Sequence, residues 1–413
     1  MFTGRQKVFH IFHSPNNNSF LKKNIYTVRV RRRLTNMSDL NFRINKDVFY
    51  KALQTVNGAV ASSSPIPTMS GIEIEANQDM IVLTGSDNDI SIRSVIKNDK
   101  DNQLFFVEEP GTIVVDHNYI LDMVKNLDSD EVQVQNIDGT LTQFTGNNVD
   151  FKINGFNPSD YPAIDFNADT TPFTIKASEF NDAAAKTSFA AANKETRPVL
   201  MGINLKSENG RITFTATDSF RLARYVLSAE VEPFNITIPS KTIGQVKSIF
   251  ADGDISISVS ARKIVFVQNG VTLQSNLLEG AFPDIERLIP SSFSRKLVVN
   301  RSALLMATAR PGFIKTDNMT IIRMQINSAD DIVVTSRSQE IGESHENLQG
   351  VVSYEGDPLD ISCSANYLSD AVRSLNNENV TVLFTSEMKP FILKNDEDDQ
   401  KLLQLVLPVR TYN

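Results

Sequence analysis

Arg197-Pro-Val-Leu-Met-Gly-Ile203 and Thr215-Ala-Thr-Asp-Ser-Phe-Arg-Leu-Ala223 are joined by Asn204-Leu-Lys-Ser-Glu-Asn-Gly-Arg-Ile-Thr-Phe214. Apolar residues alternate on both sides of Asn209-Gly210, a dipeptide that suits a tight hairpin turn, so the stretch predicts a helix exit followed by two paired strands. An Ala-rich helical run to about Ala192 precedes it. Behind it come Ile236-Thr-Ile-Pro, a short helix through Phe250 and the alternating strand 255–259.

The same order occurs upstream and downstream. The upstream copy has Leu40-Asn-Phe-Arg-Ile-Asn, a helix through Val60, alternating Ile72-Glu-Ile-Glu, Ile113-Val-Val-Asp and a helix through Leu127. The downstream copy has Leu297-Val-Val-Asn, a helix to about Arg310, Met319-Thr-Ile-Ile, Leu359-Asp-Ile-Ser and a helix through Leu375. Val115, Ile238 and Ile361 lie 123 residues apart each time, and a fixed long period predicts three copies of one structural unit.

A chain of 413 residues has room for three such cores. Phe156-Asn-Pro-Ser-Asp-Tyr-Pro162 and Phe282-Pro-Asp-Ile-Glu-Arg-Leu-Ile-Pro290 are short, stiff linkers, which sets expected domains at 37–163, 164–294 and 295–413. Residues 1–36 carry eight Lys or Arg and no Asp or Glu, against a net charge of -8 for the whole chain, so the remainder stands at -16 by difference. That segment reads as a basic, disordered extension ahead of a start at Met37, although its composition also suits a targeting peptide. No apolar run approaches the roughly 20 residues that span a bilayer. The lone Cys363 excludes an internal disulfide and reads as a small buried apolar residue.

Catalytic signatures are missing: there is no phosphate-binding Gly loop, no His-Glu-x-x-His, no paired cysteines and no Gly-x-Ser-x-Gly. Asp87-Asn-Asp89 and Asp396-Glu-Asp-Asp399 are the best carboxylate groups, both at turn-like positions, and neither recurs in all three copies. The pattern favours a binding or structural role without cofactor or metal. Two alternatives remain open: a Mg²⁺-dependent nuclease or DNA-modifying enzyme built on those carboxylates, and a repeat-built peptide adaptor that ignores DNA.

Arg197-Pro-Val-Leu-Met-Gly-Ile203, Ala216-Thr-Asp-Ser-Phe-Arg-Leu-Ala223, Gly280-Ala-Phe-Pro-Asp-Ile-Glu-Arg-Leu-Ile-Pro290 and the C-terminal Leu407-Pro-Val-Arg410 occur in order. Together they closely resemble the bacterial DNA polymerase III β subunit family, the replication sliding clamps, over residues 37–413. The resemblance implies an α+β fold of three tandem clamp domains, with helices on one face of antiparallel sheets. Two chains would close a six-domain ring around duplex DNA, a non-enzymatic processivity factor in the bacterial cytoplasm at the nucleoid, with no membrane role. Enclosure would hold DNA without base reading, which suits an acidic chain.

The resemblance also implies sites. Basic residues on or beside the six helices would face DNA: Lys51, Lys125, Lys194, Arg197, Lys241, Lys247, Arg301 and Arg373. A pocket between the second and third domains would take short peptides from the polymerase III catalytic subunit, the clamp loader and other partners. Its walls would be Leu200, Thr217, Arg221, Leu222, Pro283, Arg287, Leu288, Met388, Pro390 and the tail Leu405, Val406, Leu407, Pro408, Val409 and Arg410, with Thr217 and Arg221 fixing a polar group. The homodimer would form where Phe151 and Ile153 of one chain meet Phe313 and Ile314 of the other. Three positions depart from the common family pattern: Ser62-Ser-Ser64 where an Arg is frequent, Ser219-Phe220 in place of Gly-His, and Ser364 in place of Asn.

Overall fold

In a computed structural model, residues 40–410 are described except 62, 99–101, 169, 195–196, 316–318 and 397–398. The basic segment 1–36 and Ser62 of the Ser62-Ser-Ser64 loop therefore lie outside the described residues. The first unit runs β1 (Asn41–Asn45), α1 (Lys46–Asn57), β2 (Gly71–Ala76), β3 (Met80–Ser86), β4 (Ile90–Lys97), β5 (Phe105–Glu109), β6 (Gly111–Asp116), α2 (His117–Asn126), β7 (Glu131–Asp138), β8 (Leu141–Thr145) and β9 (Asp150–Asn154). The second runs β10 (Phe173–Lys176), α3 (Ala177–Ala185), β11 (Gly202–Glu208), β12 (Arg211–Thr217), β13 (Arg221–Ser228), β14 (Phe234–Pro239), α4 (Ser240–Ile249), β15 (Asp254–Val259), β16 (Lys263–Gln268) and β17 (Val271–Asn276). The third runs β18 (Arg295–Asn300), α5 (Arg301–Ala309), β19 (Ile321–Ser328), β20 (Asp331–Ser338), β21 (Gly342–Asn347), β22 (Val351–Glu355), β23 (Leu359–Ser364), α6 (Ala365–Ser374), β24 (Asn379–Phe384), β25 (Phe391–Lys394) and β26 (Leu402–Val406).

Local chemistry accounts for these elements. Asn209 and Gly210 both take positive φ, 53° and 72°, as the turn between β11 and β12 requires. Helix α1 buries Phe49, Ala52, Leu53 and Val56, a single stripe at helical spacing. Helix starts are capped by the side chains of Asn45, Asp116, Asn300 and Ser364. The capping role explains why Ser is accepted at 364. Two helices are shorter than the periodicity predicts. Helix α1 stops before Gly58, and α3 stops at Ala185, where the Thr187 hydroxyl donates to the Ala183 carbonyl and a separate short turn follows.

The strands form four antiparallel sheets, and two of them cross unit boundaries. The eight-stranded sheet joins first and second units where β4 pairs with β17. The nine-stranded sheet joins second and third where β13 pairs with β26. Two smaller sheets, β5-β1-β7-β8-β9 and β21-β20-β19-β23, end on β9 and β21. Helices pack over the inner faces. In the second unit Phe180 of α3 meets Phe214 and Phe266 edge-on, each at 5.5 Å between centroids, tying one helix to strands of both flanking sheets.

One detail of the repeat changes. Val115 faces Ile72 and Ile238 faces Ile203, each one residue before its helix cap, whereas the residue so placed in the third unit is Cys363, facing Ile322. Ile361 sits two residues earlier, on the same face because side-chain direction repeats every second residue. Cys363 is buried, and loss of water around it pushes its thiol up to about 12. The native protein at neutral pH is therefore expected to leave a colourless aromatic disulfide reagent unreacted, with one thiol appearing per chain when urea unfolds it. Rapid reaction of the folded chain would contradict this burial.

Candidate partner-binding surface and helical face

The second and third units meet through β13 and β26, where Arg221 faces Val406, Leu222 faces Leu405, and Ala223 faces Gln404. Alternation turns Leu222, Leu403 and Leu405 outward, away from the helices. There they cluster with Leu383, Ile392 and Ile285, and Phe282, Ile289, Phe293 and Leu407 pack against the cluster. The linker 282–293 therefore lies over the expected peptide-binding residues. Val406 belongs to the main core, and Leu200 is buried at the end of a short turn whose carbonyl accepts from the Ala192 N–H.

The apolar groups that stay exposed are Phe220 at 60%, Leu288 at 52% and Met388 at 50%. Pro283, Pro390, Leu407, Pro408 and Val409 are partly exposed, and Arg287 and Arg410 are fully so. The Leu407 N–H donates to the Phe220 carbonyl, which extends the β13–β26 ladder and draws Phe220 to the rim. Sequence reasoning noted Phe220 only as a departure. Its signal was an unusually large apolar side chain at a turn tip.

Thr217 and Arg221 are both held by hydrogen bonds within the junction. The Thr217 hydroxyl donates to the Arg221 carbonyl at 2.6 Å and accepts from the Ser219 N–H, closing a turn in which Ser219 holds φ 80°. The Arg221 guanidinium, nearly buried, donates to Asp218 at 2.9 Å and to Asp370 of α6 at 2.7 Å, and lies over the rings of Tyr367 and Phe189. It is a cross-brace between second and third units. The two carboxylates fix its orientation and engage Nε and Nη1, two of the three nitrogens of the guanidinium.

Two clefts of about 690 and 780 Å³ flank the linker, with Asn204, Asn235 and Phe282 in both. Of the expected pocket residues only Pro283 lines either one, so these clefts lie beside the expected apolar site. The linker's own Ile285 and Ile289 pack against the cluster of Leu222, Leu403 and Leu405.

The first and second units repeat this junction with different side chains. Asp87 caps the β3–β4 turn by accepting from the Asp89 and Ile90 N–H groups, as Asp218 accepts from Phe220 and Arg221, and Asn88 holds φ 79°. The Asn276 N–H donates to the Asp89 carbonyl, matching Leu407 and Phe220. Where one junction presents Phe220, Leu222, Leu405 and Leu407, the other presents Asp89, Ser91, Gln274 and Asn276. Asp87 also bonds Lys241 of α4. Among the described residues no group of three or more His, Cys, Asp or Glu side chains is placed to hold a metal.

Of the basic candidates, Lys51, Lys125, Lys241, Lys247, Arg301 and Arg373 lie on helices. Lys194 and Arg197 lie on the segment between α3 and β11. Lys51, Lys125, Lys194, Arg197 and Lys247 are exposed, and Arg301 is half-buried. Lys241 is paired with Asp87 and Arg373 with Asp370. Phe151 and Ile153 lie on the edge strand β9 and Phe313 is 67% exposed, but Ile314 is 1% exposed, packed inside its own unit. Ile314 is therefore no contact for another chain. The strand edge on that side of the third unit is β21, which the sequence reading did not name.

Family models for the DNA polymerase III beta subunit match in order: the N-terminal domain over residues 40–165, the central domain over 174–284 and the C-terminal domain over 286–410. The chain belongs to the DNA polymerase III beta subunit family. It is 32% identical over 382 residues to the beta sliding clamp of Bacillus subtilis, covering 90% of this chain and all of that protein, and 32% identical over 379 residues to that of Staphylococcus aureus, with the same coverage. The solved DNA polymerase sliding clamp from Bacillus subtilis superposes with a TM-score of 0.87 at 31% identity, covering 91% of this chain and all of that one. The beta chain from Streptococcus pneumoniae gives 0.86 at 27%, covering 90% of this chain and all of that one. The resemblance of the sequence to this family thus holds through all three domains.

Within this beta-subunit fold the cross-brace and the rim are separable. Arg221→Ala, which takes the guanidinium from Asp218 and Asp370, is expected to lower unfolding free energy by about 3 kcal/mol, and Phe220→Ser by no more than about 0.5 kcal/mol. Urea titrations of both variants read the difference.

Proposed function

We propose that two copies of this chain close head to tail into a ring around duplex DNA, and that the apolar surface at the second junction tethers partner proteins. The domains are taken at 37–163, 164–294 and 295–413. The observation that carries the ring is the order of strands. Twice within the chain, the last strand of one unit pairs with the last strand of the meander in the unit before it, as β17 does with β4 and β26 with β13. The unmatched members of that series are β9 and β21, at opposite ends of the repeat. Their pairing between chains would complete a sheet with the strand order of the nine-stranded one. Such a contact joins unlike surfaces, so the assembly closes only as a ring or runs on as a filament, and two three-unit chains give six units.

In this reading the helices line the hole, and Lys51, Lys125, Lys194, Arg197, Lys247 and Arg301 supply diffuse positive charge to the phosphate backbone. Contacts of this kind read no bases and weaken with salt, which permits sliding. The chain acts without catalysis or cofactor, in the cytoplasm at the nucleoid.

The exposed Phe220, Leu288 and Met388, beside Pro390 and Leu407, suit a short peptide carrying aliphatic and aromatic anchors. The polymerase III catalytic subunit, the clamp loader and other replication and repair proteins are its proposed bearers. A few such anchors set most of the affinity. Leu288→Asp and Met388→Asp are each expected to weaken binding of such a peptide by tenfold or more, about 1.4 kcal/mol, with the melting temperature unchanged. Loading onto nicked circular plasmid and loss on linearisation test enclosure. Retention on the linear form would point to adhesion instead.

A further inference from the structure

The two junctions inside the chain share one register, and that register can be carried to β9 and β21. On one side, Phe266 faces Leu273, Leu393 faces Gln404 and Phe144 faces Phe151. These three first residues face Ile257, Val382 and Val134, which in turn face Phe173, Leu297 and Phe42 on the strands leading into α3, α5 and α1. Phe151 is therefore the counterpart of Leu273 and Gln404.

On the other side, Leu83 faces Ser94, Phe214 faces Tyr225 and Val334 faces Glu346. Leu83, Phe214 and Val334 face Ile74, Leu205 and Met324. Those residues face Ile113, Ile236 and Ile361, each three residues before a helix cap. Ser344 is therefore the counterpart of Ile92 and Ala223, which pair with Leu273 and Gln404.

Resting on the ring reading above, we infer that β9 and β21 of two copies pair with Phe151 opposite Ser344, Lys152 opposite Glu343 and Asp150 opposite His345, a charge-keyed joint. Exposure agrees with this register. Lys152 and Asp150 on β9, and Glu343 and His345 on β21, are exposed, while Phe151, Ile153, Ser344 and Glu346 are partly buried on the inner side. The flanking strands reinforce the pattern. Arg337 lies beside Glu343 on β20, and Gln143 lies beside Lys152 on β8 and donates to Asp150.

At the same outward positions the three joints carry Ser91 with Gln274, Leu222 with Leu405, and Lys152 with Glu343. The first two join units already linked by the chain. The third joins separate molecules and alone uses opposite charges, so it selects the correct edge, rejects β9 against β9 and loosens with salt.

The test is a charge swap in the full chain, with the dimer dissociation constant read by sedimentation on dilution. Lys152→Glu and Glu343→Lys are each expected to weaken the dimer about tenfold, and the double swap to return it to within about threefold of the wild type. An oxidised cross-link between Lys152→Cys and Glu343→Cys checks the same contact, and the buried Cys363 does not compete. A wild-type chain that remains monomeric at high micromolar concentration overturns the ring itself. A wild-type dimer whose double swap is no stronger than the product of the single losses, and whose cysteine pair fails to link, overturns the register alone.

Discussion

Edge strands govern this molecule. An unpaired strand leaves a row of backbone N–H and C=O groups that must find partners or water, and an open edge invites association with another chain. Within the chain the second and third units each satisfy such an edge by lending their last strand to the unit before, β17 to β4 and β26 to β13. Sheets therefore run across unit boundaries. A chain built by this rule leaves one edge of each kind over, β9 and β21. The closure between molecules proposed above would reuse backbone pairing already present twice inside each one.

A repeated backbone does not imply repeated function. The Asx-capped turns at Asp87 and Asp218 are nearly superimposable in their hydrogen bonds and in the positive φ of Asn88 and Ser219. Yet one junction faces outward with Ser91, Gln274 and Asn276, and the other with Leu222, Leu405 and Leu407. Leu222 and Leu405 lie under the linker while Phe220, Leu288 and Met388 stay exposed around them, and apolar surface left near water is where association gains most. Arg221 keeps that junction stiff by engaging Asp218 and Asp370 at once while stacking against Tyr367. Burial raises the Tyr367 phenol above its usual value, and the Asp218 carboxylate adds to the effect, so the ring remains a neutral partner for the cation.

The charge balance fits an enclosing protein better than an adhering one. A net charge of -8 would oppose tight phosphate binding over most of the surface. In the proposed ring a few exposed lysines on the helices, with Lys241 and Arg373 already paired to Asp87 and Asp370, would supply only a diffuse attraction. Retention by topology tolerates this, since the ring need only stay shut.

Much of this was legible in the linear order of residues. Asn209-Gly210 specified its hairpin because few residues accept positive φ. The stripe Phe49, Ala52, Leu53 and Val56 specified the buried side of a helix, and the recurrence of one pattern specified three units. Membership of the beta-subunit family rests on motifs readable without coordinates. What the sequence alone did not decide is which groups meet across long separations. Asp370 lies 149 residues from Arg221 and fixes the direction of its guanidinium. Ile314 turns inward, β21 ends its sheet, and the linker residues Ile285 and Ile289 pack over Leu222 and Leu405. Alternation and periodicity set the face a side chain takes within its own element. Its neighbours depend on the register between distant strands, and only the folded chain settles that.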